Sequence, residues 1–333
     1  MAASASVKVA AEVCNRGLSI SIFMAAGGRR EREHSRGRPG CSSTPGALSD
    51  LLRAPKRYRC AFAVFGLLRR AQGAALSPVF SMTLSISLPC PPAQAQLDTL
   101  AARVVADDFC FLPAAATRAC LDALAPGWCQ GWPAFAASWD ALEPDLYMAD
   151  GGRYRRRRYA TLSAPAWAGA LRLEPEQPHF QRLEYNRLNG GVARHFAPIR
   201  TQMLQAATLQ AMLAFGLELF RRLHPGNAAH VEVHQFRIEA RPGVAGLPTP
   251  EGVHRDGVDF VLVVMVRREN VESGTTGIFT PEGRSLDHFT LTEACDAALV
   301  NDQRALHGVT PIVALDAARP AWRDVLVATY RRA

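Results

Sequence analysis

From about residue 95 the chain carries a helical period, with apolar positions three and four apart in AQLDTLAARVVADDF and again in IRTQMLQAATLQAMLAFGLELFRRLHPG, which Pro225-Gly226 closes. Between them, TRACLDALAPGWCQGWPAFAASWDAL predicts helical pieces broken at Pro and Gly, and MADGGRYRRRRYATLS predicts a turn followed by a strand. The period then changes. HVEVHQFRIEA, DFVLVVMVRR, TTGIFTP, HFTLTEA, AALVNDQRALHGVTPIVAL and RDVLVATYRR are short β-branched runs separated by Gly, Pro, Asn and Asp. Helices over about 95–225 followed by strands over about 230–333 predict a mainly β fold with flanking helices, a jelly-roll or cupin-like core with helices outside one sheet.

Residues 1–81 differ from this. Short apolar patches (GLSISIFMAA, CAFAVFGLL) alternate with basic, Gly/Ser/Pro-rich stretches. The segment reads as a disordered extension, or a start codon set upstream of Met82; an Arg- and Ser-rich organellar presequence is the other reading. Residues 82–333 read as a single domain.

Charge sharpens the division. The chain has 38 Lys+Arg and 30 Asp+Glu, a formal net charge of +8. Residues 1–81 hold 13 and 4 of these, so the remainder is nearly balanced. The basicity therefore does not argue for a nucleic-acid partner. The longest apolar run, Phe260 to Val266, is too short to span a membrane. Eight cysteines form no CxxC pair and read as reduced thiols of a cytoplasmic protein.

The candidate chemistry lies in PTPEGVHRDGVDFVLVVMVRREN and in LHGVTPI. His254 and Asp256 are two apart, so in an extended backbone they project to the same face at the entrance of an apolar strand. Asp259 is out of phase with them and reads as structural. Of the remaining histidines, His307 is best placed, on a late strand with Gly308 after it. Two His and one carboxylate with the other positions open is the arrangement of non-haem Fe(II) oxygenases. Such chemistry needs an electron source, which 2-oxoglutarate provides, and a fixed Arg to take its distal carboxylate bidentately. Arg323, opening the last strand, is the first choice; Arg319, in a loop before Pro320, is the runner-up.

RYRRRRY (153–159) reads as a solvated edge strand, as a substrate-carboxylate contact through Arg157, or as a nucleic-acid patch. In VHQFRIEA, the polar His234, Gln235 and Arg237 read either as pocket lining or as cross-strand partners of Glu232 and Glu239.

HRDGVDFVLVVMVRREN, LHGVTPI and the terminal RDVLVATY together resemble the bacterial 2-oxoglutarate/Fe(II) dioxygenases that hydroxylate free amino acids, the isoleucine 4-hydroxylase-like family. The resemblance runs from about residue 100 to the C-terminus and excludes 1–81. It implies a double-stranded β-helix, iron on His254, Asp256 and His307, 2-oxoglutarate on Arg323, and O2-dependent hydroxylation of a small substrate with release of succinate and CO2. A carboxylate at 256 implies hydroxylation, because halogenating relatives leave that ligand out. Two other classes stay open: a cupin-like metal-binding protein that is not an oxygenase, and a nucleic-acid-binding module.

Overall fold

The computed structural model describes residues 6–14, 17–25, 91–166 and 170–333, in two units, Met1–Leu88 and Pro89–Ala333. In the first unit, β1 (Ser6–Cys14) and β2 (Gly17–Ala25) form an antiparallel pair. The other expectations for residues 1–81, including a start at Met82, lie outside the described residues.

In the second unit, eight strands form one antiparallel sheet. They are β3 (Phe109–Leu112), β12 (Ala297–Asn301), β8 (Phe260–Glu269), β15 (Ala321–Arg332), β7 (Ala229–Ala240), β5 (Arg155–Ala164) and β4 (Glu143–Pro144), in that spatial order, and β6 (Arg172–Leu173), which also pairs with β5. A second layer contains β10 (Thr275–Phe279) between β11 (Ser285–Thr290) and β13 (Leu306–Val309), and β9 (Val271–Ser273) paired with β14 (Ile312–Ala314). Bridges Gly246↔Ile312 and His254↔His307 add the 244–254 segment to that layer. Along the chain, β7, β8, β12 and β15 go to the first sheet and the segments between them to the second. This interleaving is the double-stranded β-helix.

Side-chain parity fixes which face does what. Phe260, Leu262, Val264 and Val266 of β8 and Leu326, Ala328 and Tyr330 of β15 join the cluster beneath the helices. Val261 and Met265 pack on the other side. Strand β8 is thus covered on both faces, which explains its unbroken apolar run. The helices on the outer face are α1 (Pro91–Asp107), α2 (Ala114–Leu124), α3 (Trp132–Ala137), α4 (Thr201–Leu204) and α5 (Ala207–Leu223). Leu97, Leu100, Ala101 and Val104 form the buried stripe of α1, while Val105, off that stripe, is exposed.

At one point α5 touches the sheet so closely that only glycine fits. A Cβ on Gly216 would lie 2.6 Å from Cζ of the fully buried Tyr330, whose hydroxyl donates to the Leu213 carbonyl at 3.0 Å. Alanine gains about 1 kcal/mol of helix propensity but forces Tyr330 aside, an overpacking cost of about 1–3 kcal/mol. Gly216→Ala is therefore expected to lower the denaturant midpoint at unchanged m, with part of the loss recovered by adding Tyr330→Leu. A midpoint at or above that of the parent protein would mean that the contact relaxes freely.

Strand β5 corrects one expectation. It is an interior strand, between β7 on one side and β4 and β6 on the other, with Arg155 and Arg157 buried. Arg156 and Arg158, on its other face, pair with Glu239 at 2.6 Å and Glu143 at 3.0 Å. The basic run is neither a solvated edge nor a surface free to take phosphates.

Candidate active site

His254 and His307 face each other across the second layer and exchange both backbone hydrogen bonds, at 2.9 and 2.8 Å. Their rings lie 4.6 Å apart, centroid to centroid. Two residues after His254, Asp256 returns to the same side, so that Oδ1 is 3.6 Å from His254 Nε2 and Oδ2 is 3.7 Å from His307 Nε2. One donor atom from each residue lies within 4.8 Å of the others. Neighbouring ligands of an octahedral ion with bonds of about 2.1 Å are roughly 3 Å apart, so a small contraction closes this set on one cation.

The turn behind these residues is held by Asp302. Its carboxylate accepts the backbone N–H groups of Asp256, Gly257 and Val258 at 2.9, 2.7 and 3.0 Å. Gly257 has φ +82°, and a Cβ there would meet the Tyr185 ring. His254 Nδ1 is 3.1 Å from the Gly252 carbonyl, which only accepts; the neutral ring therefore carries its proton there and keeps the Nε2 lone pair for a cation. Gln181 Nε2 donates to Asp256 Oδ1 at 3.1 Å, while Gln181 Oε1 accepts from Arg194 at 2.9 Å and Asn186 at 3.2 Å.

The charges are strongly coupled. Burial alone would depress the His254 pKa, but Asp256 and Glu251 beside it hold it up at about 9. Burial, together with the charge on His254, lowers His307 to about 4. Burial opposes ionisation of Asp256 too, yet the two imidazoles keep its carboxyl well below the usual range. Burial and the Asp256 charge lift Asp302 to about 7. Without a metal, Asp256 thus stands as an anion between a protonated His254 and a neutral His307, and a divalent cation would take the place of the His254 proton.

A cavity of about 550 Å³ opens from this cluster between the two layers. Arg323 lines it, 3% exposed, and its side chain has no hydrogen bond or ion pair among the described residues; its Nε is buried without a partner. Burial and the neighbouring Arg268 bring its pKa down to about 10. A buried unpaired cation is costly unless an anion arrives. The runner-up Arg319 is instead an exposed residue paired with Glu269 at 2.9 Å, away from the cavity.

Of the other residues singled out in the sequence, His234 and Arg157 line the cavity. Gln235 and Arg237 do not, because alternate residues of β7 point to opposite faces. Gln235 donates to Ser138 Oγ at 2.9 Å, and Arg237 bonds to both oxygens of Asp324 at 2.7 Å. Both belong to the helix-bearing side.

His179, Glu232 and His234 form another group with metal-like spacing. Here Arg157 donates to His234 Nδ1 at 2.6 Å, which puts the neutral ring's proton on Nε2, towards Glu232. His179 Nδ1 is already 2.8 Å from Glu232 Oε2. This group is an internal hydrogen-bond network with no free lone pair on His234.

The sequence reading missed Gln181, Asn186, Arg194, Glu251 and Asp302. The first three lie in the long irregular stretch between β6 and α4, and a loop of that length lacking elements of its own was the available signal.

Residues 136–329 match the 2OG-Fe dioxygenase family model. The chain is 25% identical over 167 residues, 49% of its length and 68% of the relative's, to 3(1)-hydroxy-L-isoleucine 4-dioxygenase of Pantoea ananatis (strain AJ13355). It is 24% identical over 171 residues to the bifunctional enzyme flvA of Aspergillus flavus, matching 44% of this chain and 21% of that enzyme. The crystal structure of a bsmA homologue from Methylobium petroleophilum PM1 superimposes with TM-score 0.64 at 38% identity, covering 71% of this chain and 93% of that one. IDO from Bacillus thuringiensis superimposes with TM-score 0.60 at 17% identity, over 71% and 99% of the two chains, a likeness of fold alone. Because the family match spans more than half of the chain, including the paired strands that carry His254 and His307, this protein belongs to the 2OG-Fe dioxygenases, oxidoreductases that use Fe(II), 2-oxoglutarate and O2.

Proposed function

We propose that residues 82–333 are one catalytic domain in which His254, Asp256 and His307 hold Fe(II) and Arg323 takes the distal carboxylate of 2-oxoglutarate. The substrate is a small molecule, a free amino acid, hydroxylated at an unactivated carbon in the cytoplasm. The observation that carries this reading is the unpartnered buried guanidinium of Arg323 in the same cavity as a His/Asp/His cluster. Iron with 2-oxoglutarate supplies the oxidising power, and the reaction releases succinate and CO2.

The chain's own residues supply the order. Gln181 and the Asp302-held turn orient the Asp256 carboxylate. Val261, Val263, Val325 and Val327 line the cavity and exclude water from the reacting centre. His234 and Arg157 line it as well. Asp256 presents a carboxylate where a halogenating enzyme needs room, which favours hydroxylation. The amino-acid class is supported by the similarity to the Pantoea isoleucine dioxygenase and by a cavity of small-molecule size. Among the described residues no helix is long and apolar enough to cross a membrane.

The test is succinate release by the full chain with Fe(II) and 2-oxoglutarate, in the presence of each common L-amino acid. At least one aliphatic amino acid is expected to raise release about tenfold or more above the substrate-free rate, with a hydroxylated product by mass. Steady 2-oxoglutarate consumption that no amino acid stimulates would leave the dioxygenase and remove the amino acid.

A further inference from the structure

With Arg323 assigned to the cosubstrate, the cavity still holds three buried arginines and two glutamates that the iron site does not use. Two of these groups already have a strong partner. Arg155 is neutralised by Asp145 at 2.7 Å. Glu232 accepts from Tyr159 Oη at 3.0 Å and lies 2.8 Å from His179 Nδ1.

Three are left. Arg194 has no carboxylate within ion-pair distance among the described residues, and its Nε is buried without a partner. Arg157 lies between the rings of Phe196 and Phe236, 3.6 and 4.5 Å from their centroids. Its nearest carboxylate is Asp145 at 3.7 Å, and its Nε also has no partner. Glu251 is the converse case. Its side chain is 9% exposed, Oε1 accepts from Asn186 at 3.3 Å, and Oε2 is buried with no donor. The same Oε1 lies 3.6 Å from His254 Nε2, so Glu251 stands at the edge of the proposed iron site.

We propose that these three residues form a receptor for a zwitterion: Arg157 and Arg194 take the carboxylate of an amino acid, and Glu251 takes its ammonium. The inference rests on the amino-acid reading above and gives it residues. The complementarity is one of donors and acceptors. An ammonium has three N–H donors and no acceptor, and Glu251 Oε2 is an acceptor lacking a donor. A carboxylate only accepts, and the two guanidinium groups hold N–H donors lacking an acceptor. Charge selects in the same direction. Arg157 and Arg194 are matched by Glu232 and Glu251, so a ligand with one charge of each sign leaves the subsite neutral. A dicarboxylate or a diamine would bury a surplus charge.

The test is anaerobic binding to the full chain loaded with Fe(II) and 2-oxoglutarate, followed by calorimetry so that no turnover is needed. The probes are L-valine, L-leucine and L-isoleucine and, for the tightest of them, the analogues lacking either the amino or the carboxyl group. Both analogues are expected to bind at least about 30-fold more weakly than the amino acid, the usual result of stripping one partner from a buried charge pair. Glu251→Gln keeps the side chain's shape. It should weaken the amino acid at least about 30-fold while changing the amine-free acid by less than about threefold. Arg194→Lys should weaken the amino acid and the amine-free acid together and spare the amine. Fe(II) and 2-oxoglutarate should bind both variants as they bind the parent.

Equal weakening of the amino acid and the amine-free acid by Glu251→Gln would overturn the proposal. So would loss of Fe(II) binding in that variant, which would assign Glu251 to the metal. If the loaded parent protein binds none of the three amino acids, the amino-acid reading itself fails. Failure of the receptor alone shows as tight binding that is indifferent to Glu251 and Arg194.

Discussion

Asp256→Ala is expected to abolish Fe(II)-dependent succinate formation, by at least about a thousandfold, while the protein remains folded. Partners one shell out from a metal, such as Gln181 here, are worth about 10–100-fold in affinity or activity, and a ligand must exceed them. Asp256 is the one anion of the His/Asp/His set and lies between the two imidazoles, 3.6 and 3.7 Å from their Nε2 atoms. Without it only two neutral nitrogen donors remain, with no anionic ligand from the protein to offset the charge of a divalent cation. The fold has little at stake, since Asp302 bonds to the backbone of residue 256 and loses nothing when the side chain goes. Metal content, succinate assay and a thermal melt together check this. Retained iron and activity in Asp256→Ala would move the centre elsewhere, with Glu251, 3.6 Å from His254 Nε2, next in line.

Position and parity explain what could be read from the chain. His254 and Asp256, at i and i+2 before an apolar strand, are a local signal, and local signals survive in a sequence. The same rule, applied to VHQFRIEA, puts His234 with Glu232 and Phe236 and separates it from Gln235 and Arg237. Reading those three polar residues together as pocket lining ignored the alternation. Their true partners, Ser138 and Asp324, are 97 and 87 residues away in the chain, so nothing nearby announced them. RYRRRRY shows the same limit. Its two faces were legible, but which one is buried depends on Asp145, Phe196 and Phe236, which reach Arg155 and Arg157 only in the folded sheet. Glu251 was in plain view three residues before His254. A single glutamate beside Pro and Gly has no pattern, however, and only the burial of its oxygens marks it.

Arg323→Leu is expected to raise the 2-oxoglutarate requirement by roughly 100-fold or more, the cost of removing one partner of a buried charge pair, with much of the maximal rate recovered at saturating cosubstrate. Arg319→Leu should change it less than about threefold, because an exposed ion pair contributes at most about 1 kcal/mol. Arg323→Lys should fall between, since an ammonium restores charge without the bidentate fork. Stability without cosubstrate should move in the opposite direction. The pKa of a guanidinium brought down to about 10 marks a preference for the charged form weakened by on the order of 3 kcal/mol, so the empty protein bears a cost at Arg323. Leucine removes that cost among the valines of the cavity wall, and Arg323→Leu should melt higher than the parent when both are empty. Added 2-oxoglutarate then raises the parent's melting temperature and leaves the variant's unchanged. Opposite signs for stability and affinity in one substitution are expected only of a residue held in strain for a ligand. If both fell together, Arg323 would be a structural cation, and the carboxylate would have to be met elsewhere in the cavity.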